Sequence, residues 1–188
     1  MIGILDYGAG NVNAIARIYN NLNIPNKLIK HVTDFDKVDK LILPGVGSFD
    51  AVISKLYQSG LKEKLDELVL KENVPVFGIC VGLQIMAKSS EEGMLPGLGW
   101  INATVKKFTL SEEYYVPHMG WNTLRLNRSN GIFEGIDNEF GFYFVHSFYF
   151  NLDEEIDFIA RTTYGIEFVS AIKKGNIIAT QFHPEKSH

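Results

Sequence analysis

Cysteine is almost absent: the 188-residue chain holds one, Cys80. A single thiol excludes an intrachain disulfide and any zinc site built on several cysteines. Excess charge of one sign is missing too, with 18 basic against 22 acidic side chains and a formal net charge of −4. No basic cluster interrupts that balance, so a nucleic-acid surface is not indicated. The N-terminus, MIGILDYGAGN, lacks the basic region and long apolar stretch of a secretory signal. No apolar run approaches the length needed to cross a bilayer, so no membrane role is indicated and a cytoplasmic protein is expected. What is present, 46% apolar and 21% charged residues, suits a globular chain long enough to bury a substantial core. No internal repeat, low-complexity tract or linker divides it, so one domain over residues 1–188 is expected.

The first half alternates short apolar runs with helical patterns. IGILDY (2–7), KLIK (27–30), KLILPG (40–45) and PVFGIC (75–80) read as buried strands. Between them, Val12, Ile15, Ala16, Tyr19 and Leu22 recur at helical spacing behind a capping Asn11. LKEKLDELVLKEN (61–73) places apolar residues at 61, 65, 68 and 69 among charges, an amphipathic helix, and GLQIMAK begins another. Continuously apolar strands separated by helices predict a mostly parallel α/β sheet with helices on both faces. In the second half, WINATVKKF (100–108), EFGFYFVHSFYF (139–150), DFIARTTY (157–164) and NIIATQFHP (176–184) are rich in β-branched and aromatic residues. Turn signals such as RSNG and KKGN separate them. They predict an antiparallel extension of the sheet.

Gly78-Ile79-Cys80-Val81-Gly82 has the G-x-nucleophile-x-G form with cysteine in place of serine. A strand turning sharply into a helix holds the central residue in strained backbone, and flanking glycines relieve the crowding. The sulfur then projects at the carboxyl edge of the sheet, where open α/β folds place their sites, beside N–H donors for an oxyanion. A lone cysteine is commonly a buried structural residue; two glycines at this spacing favour a nucleophile. A nucleophilic cysteine needs a base, and the base an orienting group. Of His31, His118, His146, His183 and His188, only His183 has a carboxylate two residues on, Glu185 in QFHPEKS. At a strand end the two share one side of the chain, with Pro184 stiffening the turn between them. A surface H-P-E turn is the bland alternative. Gly8-Ala9-Gly10 does not open a dinucleotide loop, because the third glycine position is Asn13, and Asp34 and Asp36 near His31 lack metal spacing.

GICVGLQ together with QFHPEKS resembles the triad-type (class I) glutamine amidotransferases, whose fold is flavodoxin-like. DYGAGN (6–11), PGVGSF (44–49), VPHMGWN (116–122) and FVHSF (144–148) are more narrowly similar to the glutaminase subunits of imidazole glycerol phosphate synthases, which serve histidine biosynthesis. The motifs run in family order from Asp6 to Ser187.

The resemblance implies that Cys80, His183 and Glu185 form a triad hydrolysing glutamine to glutamate and ammonia through a glutamyl thioester. It implies an oxyanion site from the backbone of Val81 and of Gly45, Val46 and Gly47. Leucine is usual in the family at the Val81 position, which matters little to a backbone donor. It further implies that Gln84, Ser147 and Phe148 bind the substrate, and that neither cofactor nor metal takes part. The implied partner is a (β/α)8-barrel cyclase subunit, forming a heterodimer and receiving ammonia through a channel. Asn11, His118, Met119, Trp121, Tyr143 and Lys186 are carried over to the docking face. Beside those roles stand plainer ones: Trp121 and Tyr143 as core aromatics, His118 and His146 as satisfied structural histidines, Lys186 as a solvated lysine. The family continues past PEKS into a further helix, so the resemblance carries the expectation of a C-terminal tail beyond His188 or of reduced stability. Two other functions fit the same motifs: a paralogous glutaminase feeding amidino-sugar formation for surface polysaccharide, and a partner-independent cysteine hydrolase or peptidase with no use for Gln84. A fold retained as a binding module is a further reading, against which the intact Cys80, His183 and Glu185 speak.

Overall fold

A computed structural model describes residues 1–127, 131–153 and 158–187. Most of the R-S-N-G turn signal (128–130), Asp157 and His188 lie outside the described residues. The chain opens with strand β1 (Ile2–Leu5), helix α1 (Val12–Asn21), β2 (Asn26–Ile29) and β3 (Lys40–Gly45). Asn11 caps α1 through its side-chain oxygen, which accepts from the Ala14 N–H at 3.4 Å. Val12 and Ile15 of the expected apolar face are buried, whereas Leu22 has already left the helix and is exposed.

Helix α2 (Phe49–Gln58) then buries Phe49, Val52, Ile53 and Leu56. The amphipathic pattern over 61–73 forms α3 (Lys62–Asp66), continued by a π-helical turn, Glu67–Lys71, with Leu65, Leu68 and Val69 buried. Strand β4 (Val76–Cys80) leads directly into α4 (Val81–Gln84). The long helix expected from GLQIMAK is cut to one turn. The carbonyls of Ile85, Met86 and Ala87, which a continuing helix would use, instead accept from the N–H groups of Leu98, Ile101 and Gly99.

The remaining strands are β5 (Ser89–Ser90), β6 (Ala103–Lys107), β7 (His118–Asn122), β8 (Arg125–Leu126), β9 (Phe142–His146), β10 (Phe148–Leu152), β11 (Phe158–Tyr164), β12 (Ile166–Lys174) and β13 (Ile177–Thr180). Among the described residues an 11-stranded sheet runs in the order β2-β1-β3-β4-β13-β12-β10-β6-β5, with β11 and β8 off this path. Strands β2 to β4 and β13 are mutually parallel; β12, β10 and β6 continue as an antiparallel extension. Strands β7 and β9 form a separate two-stranded antiparallel ribbon. The architecture is thus the mixed α/β sheet expected, parallel first and antiparallel after.

Two features of this order position the site. The last strand, β13, returns to lie parallel beside β4, pairing Ile79 with Thr180. The segment leaving β13 therefore passes next to Cys80. The core divides likewise: aliphatic side chains dominate around the parallel strands, and a second cluster of Phe108, Phe133, Phe142, Phe144, Phe168 and Phe182 fills the far half.

Candidate active site

Cys80 ends β4 with φ 54° and ψ −113°, a left-handed backbone that a non-glycine residue adopts only when its surroundings impose it. The surroundings here are close-packed backbone. A Cβ on Gly82 would lie 1.9 Å from the Leu43 carbonyl oxygen, and one on Gly45 would lie 2.4 Å from the Gly82 nitrogen. Only glycines let β3 press against the turn this closely. The Pro44 carbonyl at that contact accepts the buried Tyr7 hydroxyl. Gly45 is paired with Cys80 in the ladder, so the loop carrying Val46 and Gly47 starts beside the sulfur.

From the neighbouring strand comes the histidine. His183 is buried, its backbone N–H donates to the Tyr143 carbonyl, and its Nδ1 lies 2.8 Å from Glu185 Oε1. Cys80 also acts on its imidazole, as Glu185 does. Burial alone would lower the imidazole from 6.5; hydrogen bonds and charge from Cys80 and Glu185 outweigh it and push His183 up to about 9. The second Glu185 oxygen, Oε2, is buried with no hydrogen-bond partner among the described residues. The strand pairing thus brings a carboxylate-bound imidazole to the strand beside Cys80, the grouping that lets a base activate a thiol and be oriented in turn.

A cavity of about 240 Å³ opens at Cys80, lined among others by Gly47, Val81, Gln84, Glu92, Ser147 and Phe148. Gln84 is buried, and its Nε2 donates to the Phe148 carbonyl and to Gln181 Oε1, both at 3.0 Å. The substrate positions carried over from the family therefore share one wall.

The docking-face residues divide. Lys186 lies over the Tyr143 ring at 5.3 Å, and Tyr143 meets Trp121 edge-on at 5.7 Å. Met119 and Trp121 are exposed on β7, and Asn11 is exposed at the start of α1, which packs against the Pro184–Lys186 turn. His118 takes the plainer of its two expected places, that of a satisfied structural histidine. Its ring is buried, with Nδ1 3.0 Å from His146 Nε2 and Nε2 3.3 Å from Asn122 Nδ2. The β7–β9 pairing sets His118 directly opposite His146 and turns both inward, while Met119 and Trp121 stay exposed. Among the described residues, no three His, Cys, Asp or Glu side chains are grouped to hold a metal ion, and the Asp34 carboxylate accepts from the Lys30 and His31 N–H groups. No helix is long and apolar enough to cross a membrane among the described residues.

Two residues at the site carry no role expected from the sequence. Glu92 lines the cavity while its Oε2 accepts from the Phe49 N–H at 2.8 Å; nothing in SSEEG distinguishes it from its acidic neighbour. Gln181 lies two residues before His183, so it shares the same side of the chain, and that spacing is a usable signal.

Comparison with known proteins agrees with this geometry. Residues 3–188 match the family model "Glutamine amidotransferase class-I". The chain is 46% identical over 191 residues to the "Imidazole glycerol phosphate synthase subunit HisH" of Leptospira interrogans, covering 100% of this chain and 94% of that protein. Against the protein of the same name from Bdellovibrio bacteriovorus it is 45% identical, with the same coverage. A solved structure described as a glutamine amidotransferase superposes with a TM-score of 0.73 at 22% identity, covering 98% of this chain and 90% of that one, which shows the shared fold. The chain is a class-I glutamine amidotransferase, an enzyme subunit belonging to the HisH family.

Proposed function

We propose that this chain is the glutaminase subunit of an imidazole glycerol phosphate synthase, hydrolysing glutamine with Cys80, His183 and Glu185 and passing ammonia to a cyclase subunit in histidine biosynthesis. The observation that carries the reading is the strained Cys80 facing a histidine whose Nδ1 is held 2.8 Å from Glu185. The Cys80 thiolate attacks the side-chain amide carbon of glutamine. The oxyanion is held by the Val81 N–H and an amide of the Gly45, Val46, Gly47 loop. His183 protonates the departing ammonia, and a water deprotonated by the same histidine cleaves the glutamyl thioester. Losing one oxyanion donor costs roughly 2.7–4 kcal/mol in other enzymes, so the loop's orientation is able to gate the reaction.

Substrate recognition follows from the cavity. Its volume, about 240 Å³, suits one amino acid and disfavours the peptide expected of a hydrolase without a partner. The Glu92 carboxylate offers charge for the α-ammonium group. Both N–H groups of Gln84 are engaged by protein acceptors, which leaves its oxygen as the function available to a ligand.

Ammonia is lost by protonation or diffusion unless its consumer docks at the site, which supports a heterodimer with the (β/α)8-barrel cyclase named by the resemblance. Met119, Trp121, Tyr143, Lys186 and Asn11 supply an exposed or half-buried surface close to His183 for it. The acceptor is then a phosphoribulosyl-formimino aminoimidazole carboxamide ribotide, and the setting cytoplasmic. Glutamate release by the chain alone, and with the cyclase subunit plus its ribotide ligand, tests the reading. Strong stimulation that disappears in Cys80→Ala is the expected result; release that ignores the partner, or none in any mixture, overturns it.

A further inference from the structure

The Phe148 carbonyl, a backbone oxygen, can only accept. Two N–H groups converge on it: Gln84 Nε2 at 3.0 Å and His146 Nδ1 at 2.8 Å. His146 must therefore carry its proton on Nδ1, and its Nε2 accepts from His118 Nδ1 at 3.0 Å. His118 Nε2 then accepts from Asn122 Nδ2, which also donates to the Thr163 carbonyl. Every bond in this buried chain has one allowed direction. Burial holds both imidazoles neutral, at about 4 for His118 and about 3 for His146, as that direction requires.

The same carbonyl fixes the other end. Gln84 can only present its amide nitrogen to Phe148 O, so the Gln181 atom 3.0 Å from that nitrogen must be the acceptor, Oε1. The Gln181 side chain is thereby turned to place Nε2 3.8 Å from Cys80 Sγ, as a donor to sulfur. Gln181 is fully buried, and its backbone N–H is tied to the Ser170 carbonyl. It sits between sulfur and cavity wall with no freedom to turn over.

We propose that Gln181 is a positioning residue: its amide, given a single orientation by the chain from Phe148 through Gln84, donates to Cys80 Sγ and holds the sulfur between the cavity and His183. This rests on the reading of Cys80 as the nucleophile. One hydrogen bond thus ties the sulfur's direction to the residue that lines the substrate wall. The donor is worth most once the sulfur is charged, since hydrogen bonds to ions are stronger than neutral ones.

Gln181→Glu keeps the acceptor for Gln84 and removes the donor to sulfur; Gln181→Met removes both. Alkylation of Cys80 by iodoacetamide, followed by intact mass, needs neither substrate nor partner. Gln181→Met is expected to slow it about tenfold, the worth of one hydrogen bond to a charged group, and Gln181→Glu at least as much, since its carboxylate also repels a charged sulfur. For glutamate release with the cyclase subunit present, Gln181→Glu is expected to lower kcat about tenfold with KM within about twofold. Gln181→Met is expected to raise KM as well, because Gln84 has lost an anchor. Alkylation within about twofold of the unaltered chain in both variants overturns the proposal, as does loss that only tracks a lowered melting temperature. If one variant does not fold, the alkylation rate of the other decides. If the unaltered chain is alkylated at Cys80 yet releases no glutamate in any mixture, the glutaminase reading has failed, and Gln181 is judged on alkylation alone.

Discussion

Up to Cys80 the chain builds parallel strands, fills their faces with aliphatic side chains and brings its elements together through glycine; beyond Cys80 it builds mostly antiparallel strands around phenylalanines, ties them with polar side chains, and returns one strand, β13, parallel to β4. The first region delivers the candidate nucleophile by steric exclusion, with backbone against backbone at Gly45 and Gly82. The second ties the cavity wall to the exposed ribbon by hydrogen bonds whose directions are fixed in series, Asn122 to His118 to His146 to Phe148 O, and holds the candidate base, His183, through Tyr143 and Glu185. Steric positioning is stiff and insensitive to pH. Positioning by imidazoles is precise as well, but it titrates. The two halves should therefore fail in different ways, and that difference can be measured.

The largest effect expected lies at their junction. Cys80→Ala removes the one group both regions serve, and glutamate release should fall on the order of 10⁶-fold, as for loss of a nucleophile elsewhere. Residual turnover within about a hundredfold of the unaltered chain would mean that a different residue attacks. For the first region alone, Gly82→Ala should cost roughly 3 kcal/mol, because the new methyl meets a carbonyl oxygen that belongs to a strand. Urea unfolding would show it, and a cost under about 1 kcal/mol would show that β3 can yield.

The second region should betray itself in acid. His118 and His146 have folded values of about 4 and about 3, below the ordinary 6.5. The unfolded chain therefore binds protons that the native chain refuses, and their contribution to stability, full above pH 6.5, is lost as pH falls. Each histidine steepens that loss by up to about 1.4 kcal/mol per pH unit. Urea midpoints compared between pH 7 and 5 should fall less steeply in His146→Gln; an identical slope would break the comparison. His183 works with the opposite sign. Its folded value, about 9, stands above 6.5, so its contribution is complete below pH 6.5 and disappears as pH rises through about 9. That alkaline loss should be about 3 kcal/mol and smaller in Glu185→Gln, where one of the raising charges is gone. The loss should remain in His146→Gln if the two regions are separately built.

The same contrast explains what the sequence makes legible. The elbow is legible because everything it needs lies within Gly78 to Gly82, and His183 and Glu185 because two residues along a strand end share a side. The parallel half and the change to antiparallel strands follow from apolar runs and aromatic content. What escapes depends on distant partners. The helix after Cys80 stops at Gln84 because residues 98–101 take its next carbonyls. For His118 the sequence leaves two roles open, and only its pairing opposite His146 shows the ring turned inward. Gln181 has a role only once a carbonyl from β10 has oriented Gln84.

The smallest effect belongs to the exposed edge of the second region. Lys186 lies 5.3 Å over the Tyr143 ring, beside Trp121 and immediately after the candidate triad. As a partly solvated cation–π contact it should contribute about 0.5–1 kcal/mol to the fold, so Lys186→Ala should barely move the urea midpoint. Its neighbours are nevertheless the Tyr143 backbone that accepts from His183 and the Ser187 hydroxyl that donates to the His183 carbonyl. A partner pressing on this stack would push on the base through two backbone hydrogen bonds, and so act where the imidazole meets sulfur. Stimulation of glutamate release by the cyclase subunit should then weaken in Lys186→Ala by roughly three- to tenfold, far more than the change in stability accounts for. Full stimulation in that variant would place the partner's effect elsewhere, on the loop of Gly45, Val46 and Gly47, and would return control of the site to the glycine-packed half.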